Sequence, residues 1–222
     1  LLKQKGMWEN TLWVGWSDNG GPTWTGSSHT ANNWPLRGSK GDDLEGGVRV
    51  NGYVGGGYLA AVAPHRVGSH LDGIVHITDL YATFAGLAGV DPTDHRAAAA
   101  GLPPIDAMDM MPYWTGKVDT SPRTTVHHDP YALTVGDLKI LTGEIDGACW
   151  QGPSFPNASL YGQAGTGCDT ILECGDYGCL FNTSADPTEH VDIARLPGME
   201  STMTMMRRQL AEANATLFNP KR

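Results

Sequence analysis

The stretch Glu9-Asn10-Thr11-Leu12-Trp13-Val14-Gly15-Trp16-Ser17-Asp18-Asn19-Gly20-Gly21 decides how this chain is read. Its β-branched and aromatic half, Glu9–Ser17, predicts a buried strand. Asp18-Asn19-Gly20-Gly21 then stops it with turn chemistry. In an open α/β sheet, ligands gather beyond the carboxyl ends of the strands, which is where Asp18 and Asn19 fall. A carboxylate and a carboxamide side by side are hard oxygen donors suited to Ca²⁺ or Mg²⁺. The competing reading is an ordinary turn, with side-chain oxygens taking nearby backbone N–H groups.

Downstream, residues 24–43 read as a long ordered loop rich in Gly and Asn, containing Asn33-Trp34-Pro35. Its end, Leu36-Arg37-Gly38-Ser39-Lys40, precedes Glu45-Gly46-Gly47-Val48-Arg49. Arg37 as a planar fork and Lys40 as a point charge suit a tetrahedral oxyanion. Glu45 is expected to orient Lys40 and keep it protonated. The alternative is a solvated, ion-paired loop.

Gly47–Tyr53 and Tyr58–Ala63 are predicted strands, and Asp79–Ala88 a helix capped by Thr78 or Asp79. A connector over His95–Pro104 and a short helix over Met108–Thr115 follow. Beyond residue 120 the texture changes to short strands at Thr124–His128, Ala132–Val135 and Leu138–Thr142. Gly136-Asp137 is the hairpin turn between the last two. Leu180–Asn182 is a further strand. An amphipathic helix over Asp192–Thr216 ends the chain, apolar at Met203, Met206, Leu210 and Ala213. The expected fold class is therefore α/β over 1–120, followed by a small antiparallel α+β part over 121–222.

Composition narrows the function classes. The formal charge of −9 speaks against nucleic-acid binding, which needs a basic face. No apolar run approaches the roughly 20 residues of a membrane span. Leu1-Leu2-Lys3-Gln4-Lys5-Gly6 reads as the end of a helix with a glycine stop, so the chain is expected to be a fragment. Cys149, Cys168, Cys174 and Cys179 form one cluster without a Cys-x-x-Cys pair, which favours disulfides over zinc and leaves their pairing open. Asn157, Asn182 and Asn214 head glycosylation acceptor tripeptides. Together with the cysteines they predict a secretory-pathway protein, lysosomal or extracellular. His127 and His128 point to opposite strand faces, which disfavours a joint metal site. His29, in the loop, is a candidate substrate contact.

In this order, Thr11–Ser17, Asp18-Asn19-Gly20-Gly21, Asn33-Trp34-Pro35-Leu36-Arg37-Gly38-x-Lys40 and Glu45-Gly46-Gly47-Val48-Arg49 resemble the sulfatase family, arylsulfatase B-like group. The likeness continues through His76–Gly89, through Gly136-Asp137-Leu138-Lys139-Ile140, and from Leu180-Phe181-Asn182 to Asp186-Pro187-Thr188-Glu189. It implies the C-terminal part of an alkaline-phosphatase-like sulfatase fold, followed by a small antiparallel sheet with a packed C-terminal helix. It implies sulfuric ester hydrolysis of a sulfated small molecule or glycan. It further implies that Asp18 and Asn19 complete a Ca²⁺ (or Mg²⁺) site and that Lys40 contacts the sulfate, with Arg37 and His29 nearby. The family's nucleophile is a formylglycine made from the Cys of a Cys-x-Pro-x-Arg stretch. None of the four cysteines has that context. The isolated chain is therefore expected to be inactive and to need an N-terminal half. A phosphoesterase of the same superfamily and a non-catalytic sulfate- or glycan-binding module are the alternatives.

Overall fold

The structure, a computed structural model, describes residues 1–23, 31–150 and 170–217. In chain order its elements are β1 (Trp13–Trp16), α1 (Glu45–Val48), β2 (Gly52–Gly55), α2 (Gly57–Val62), α3 (Asp79–Leu87), α4 (His95–Ala99), α5 (Met111–Trp114), β3 (Thr125–Asp129), β4 (Ala132–Val135), β5 (Leu138–Ile145), β6 (Leu172–Asn182) and α6 (Glu200–Ala215). They form two compact units. One comprises 1–16 and 52–124; the other comprises 17–51 and 125–222. The loop that follows β1 thus clusters with the C-terminal sheet, although residues 52–124 of the other unit separate them in sequence.

In the first unit, β1 pairs antiparallel with β2, Val14 opposite Val54 and Trp16 opposite Gly52. The strand is shorter than Glu9–Ser17 and half-exposed among the described residues, with Trp13 the most exposed of its four. Two of the expected strands are corrected. Residues 58–63 lie in α2 and its C-cap, and of 47–53 only Gly52 and Tyr53 are in a strand. Short apolar runs carry no period long enough to separate helix from strand. The 95–104 connector contains α4, whose N-cap Asp94 accepts from the amides of Arg96 and Ala97.

The predicted helix at 79 is α3. Arg123, 2% exposed at its side chain, makes a two-pronged ion pair with the fully buried Asp79, at 2.6 and 2.8 Å. Asp79 also accepts from the amides of His76 and Met108, both within 2.9 Å. Hydrogen bonding to Asp79 holds the Arg123 guanidinium above its ordinary range, against its burial. At the start of the chain, where a helix end was expected, residues 2–6 form turns: the Met7 amide reaches back to the Leu2 carbonyl, with Gly6 at φ 66.

In the second unit, β3-β4-β5-β6 form one antiparallel sheet. Gly136, at φ 56, supplies the left-handed corner between β4 and β5. The sheet is buried on both faces, and the alternation of side chains sorts them. Leu133, Ile140 and Leu180 face α6, which packs on them through Met203, Met206 and Leu210. Ala132, Leu141 and Phe181 form the other face with Leu44 and the Cys174–Cys179 disulfide. Each large apolar side chain removed from water there contributes about 1.5–3 kcal/mol. The disulfide lies within β6, which extends the expected Leu180–Asn182 strand back to Leu172. Cys149 is also disulfide-bonded; Cys168 lies outside the described residues. The final helix starts at Glu200 and buries three of its four expected apolar positions. No helix among the described residues is long and apolar enough to cross a membrane.

Candidate functional site

Asp18, Asn19 and Lys40 belong to the second unit, and backbone hydrogen bonds tie them into one assembly. The Gly20 amide donates to the Gly47 carbonyl at 2.8 Å, and the Lys40 amide donates to the Gly21 carbonyl at 3.1 Å. Asn33 braces both loops. Its Oδ1 accepts from the Gly21 amide at 2.9 Å, and its Nδ2 donates to the carbonyls of Gly21 and Gly38. The Asn of Asn33-Trp34-Pro35 is thus the joint between the acidic turn and the basic loop. The glycines are steric requirements. A Cβ on Gly20 would collide with the Gly46 carbonyl, and one on Gly47 with the Asp42 carbonyl.

Asp18 is exposed and Asn19 half-buried. Asp18 Oδ1 accepts from the Asn19 amide at 3.0 Å, and Asn19 Nδ2 donates to the Gly20 carbonyl at 2.7 Å. Both contacts are turn chemistry, and the Asn19 side-chain nitrogen is committed to the Gly20 carbonyl. Among the described residues no group of three or more His, Cys, Asp or Glu is placed to hold a metal. Two hard donors fit part of a Ca²⁺ shell of about 6–8 oxygens, not a whole one.

Lys40 is exposed, and no described carboxylate lies within ion-pair distance of it. Glu45 does not orient it, as the sequence suggested. Instead Glu45 pairs with Lys139 at 2.9 Å and Arg49 at 3.6 Å. The loop carrying Lys40 is shaped by Asp42, which accepts from the amides of Ser39 at 2.6 Å and Leu44 at 3.0 Å. Burial pushes the Asp42 carboxyl up to about 7, against those same hydrogen bonds. Burial, and then Asp129, raises Asp43 to about 6.

Arg37, expected beside the sulfate, is 7% exposed. Its Nε donates to the Ala148 carbonyl at 2.8 Å and its Nη1 to the Glu189 carbonyl at 3.2 Å. Its guanidinium lies 4.1 Å from the Trp150 ring centre, and Trp150 in turn stacks on His190. Arg37 clamps the loop onto the C-terminal segments. His29 and Asn157 lie outside the described residues. Asn182 Oδ1 accepts from the Ala185 amide. Asn214 is engaged at both ends, its Nδ2 donating to Pro130 and its Oδ1 facing His127 Nε2. His128 faces Thr134, so the two adjacent histidines have separate structural partners.

Sequence reading did not foresee the charges beneath the loop. Lys139 and Glu189 are fully buried and paired at 2.6 Å. Burial raises the Glu189 carboxyl, with Lys139 opposing. Their signal was present only as two unrelated short motifs, Gly-Asp-Leu-Lys-Ile and Asp-Pro-Thr-Glu.

Arylsulfatase J of Mus musculus is 31% identical over 236 residues, covering 97% of this chain and 37% of that protein. The chain belongs to the sulfatase family. It spans little more than a third of the curated relative it matches. Among solved structures, the PsFucS1 sulfatase from Pseudoalteromonas sp. superposes with a TM-score of 0.65 at 25% identity, over 97% of this chain and 39% of that one. A further structure, in complex with its substrate D-glucosamine-2-N,6-O-disulfate, shares the fold at a TM-score of 0.55 and 16% identity, over 97% of this chain and 36% of that one. No family model matches the chain. This sulfatase chain thus has the partial alkaline-phosphatase-like architecture expected of it, with the four-stranded sheet and C-terminal helix in place.

Proposed function

We propose that this chain supplies the C-terminal side of a sulfuric ester hydrolase, with residues 1–120 ending the catalytic α/β domain and 121–222 forming its smaller companion. The carrying observation is that Asp18-Asn19 and Lys40, distant in kind and in sequence, share one hydrogen-bonded frame through Gly20, Gly21, Asn33 and Gly47.

Asp18 and Asn19 hold part of a divalent cation, Ca²⁺ or Mg²⁺. When bound, that cation offsets negative charge on the transferring sulfuryl group. Lys40 has no ion pair among the described residues and presents its ammonium to a sulfate oxygen as an electrostatic contact. Arg37 holds the loop in place through Ala148 and Glu189. The formylglycine nucleophile and the remaining metal donors come from sequence upstream, which also leaves the chain inactive by itself. The substrate is a sulfated small molecule or glycan, as supported by the sulfated sugar in a structural neighbour. The disulfide supports residence in an oxidising compartment, lysosomal or extracellular. Asn182 and Asn157 remain glycosylation acceptors. At Asn214 the nitrogen that would carry the glycan is already a hydrogen-bond donor.

The test is metal and sulfate chemistry together. The chain joined to its upstream segment is expected to hydrolyse a chromogenic aryl sulfate, with Asp18→Ala weakening Ca²⁺ binding by calorimetry. Turnover by the 222-residue chain alone, or tight stoichiometric Ca²⁺ binding to it, contradicts the reading.

A further inference from the structure

Three motifs that lie far apart in the sequence meet at one buried ammonium. Lys139 Nζ has three protons to place. Two of them meet hydrogen-bond acceptors, the Asp43 carbonyl at 2.8 Å and Glu45 Oε1 at 2.9 Å, and Glu189 Oε1 stands 2.6 Å away as the ion-pair partner. The other Glu189 oxygen accepts from the Glu45 amide at 2.7 Å, the first amide of α1. The side chains of Lys139 and Glu189 are 0% exposed, and that of Glu45 is 10% exposed. Glu189 sits at φ 53, a left-handed conformation that a non-glycine residue holds only where its surroundings over-determine it.

This cluster does little that an apolar core would not do better for stability, since well-packed hydrophobic side chains often replace a buried ion pair at no loss. What it does do is fix geometry. Both acceptors that Lys139 takes from the loop, at Asp43 and Glu45, lie just past its tip. On the near side of the tip, Arg37 and Ser39 are buried and bonded to Ala148 and Asp42. Only Lys40 and Gly41 are exposed between these two anchors. Removing the ammonium frees one end of the loop and leaves two carboxylates facing each other.

We propose that Lys139 and Glu189 are positioning residues that set where Lys40 stands relative to Asp18 and Asn19, an inference that rests on Lys40 being the sulfate contact. In the protein carrying its upstream segment, Lys139→Met raises KM for an aryl sulfate roughly tenfold or more, with a smaller change in kcat. In a Lys40→Ala background the same change has little further effect, because it acts through Lys40. Hydrogen exchange of amides 38–47 speeds up in Lys139→Met, while those of α6 keep their protection. Where Lys139→Met does not fold, Glu189→Gln keeps the shape and carries the same expectations. Multiplying effects of Lys139→Met and Lys40→Ala, or unchanged exchange over 38–47, overturn the proposal with the hydrolase reading intact. If Lys40→Ala leaves turnover unaltered, the hydrolase reading of Lys40 fails, and the proposal with it.

Discussion

Each compact unit of this sulfatase chain buries one cation against carboxylates, and the two sites are built differently. Arg123 meets Asp79 in a flat two-pronged pair at the start of α3, inside a regular element. Lys139 meets Glu45, Glu189 and a carbonyl in a three-way grip on an irregular loop. A planar fork suits a flat grip on one carboxylate, with Asp106 at 3.5 Å as a second, looser partner, and a rotatable ammonium suits groups from two separate segments. The first site anchors the start of α3. The second ties strand β5 to two stretches outside the sheet, residues 43–45 and Glu189.

The sharpest way to test that contrast is to unpair each site. Arg123→Leu leaves the Asp79 carboxylate buried without its cation, and Glu189→Ala leaves Lys139 with Glu45 and the Asp43 carbonyl. Each is expected to cost about 3–5 kcal/mol in denaturant unfolding. The losses should differ in kind. Arg123→Leu should loosen α3, whereas Glu189→Ala should loosen residues 38–47 first, as read by hydrogen exchange. Equal loosening of both regions by either variant would erase the distinction.

A smaller effect comes from pH. The raised carboxyls, Asp42 near 7, Asp43 near 6 and Glu189 in the same direction, all lie in the second unit. A carboxyl raised from 3.8 binds its proton more tightly folded than unfolded. Its contribution is therefore full below the unfolded value and is lost as pH rises through the folded one. The second unit is expected to be more resistant to opening at pH 5 than at pH 7.5, with Asp42→Asn flattening the difference. Protection in 125–217 that increases from pH 5 to pH 7.5 would reverse the sign and contradict the burial argument.

These two sites also show what sequence reveals and what it hides. Asp79 was legible as the start of a helix because its period is local, although the expected side-chain cap does not form. The hairpin at Gly136-Asp137 and the apolar stripe of α6 were legible for the same reason. Asp18, Asn19 and Lys40 were singled out from the order of motifs, and the fold ties their loops together through Asn33. Residues 58–63 misled, since a six-residue apolar run fits a strand as well as the helix it forms. The role of Arg37 was hidden because its partners, Ala148, Trp150 and Glu189, are more than a hundred positions away. Glu45 next to Lys40 looked like an ion pair on proximity alone, and the fold gave Glu45 to Lys139. Charges near one another in a loop are poor guides when a buried lysine from a strand competes for the same carboxylate.

In the proposed function, Lys40 is held out of the loop to meet sulfate beside Asp18 and Asn19. The decisive measurement is steady-state hydrolysis of a chromogenic aryl sulfate by Lys40→Ala, in the protein with its upstream segment. The expected result is a fall in kcat/KM of about 10²–10³ with the unfolding midpoint unchanged, as for loss of one preorganised electrostatic contact. An unaltered kcat/KM in a well-folded variant would contradict it.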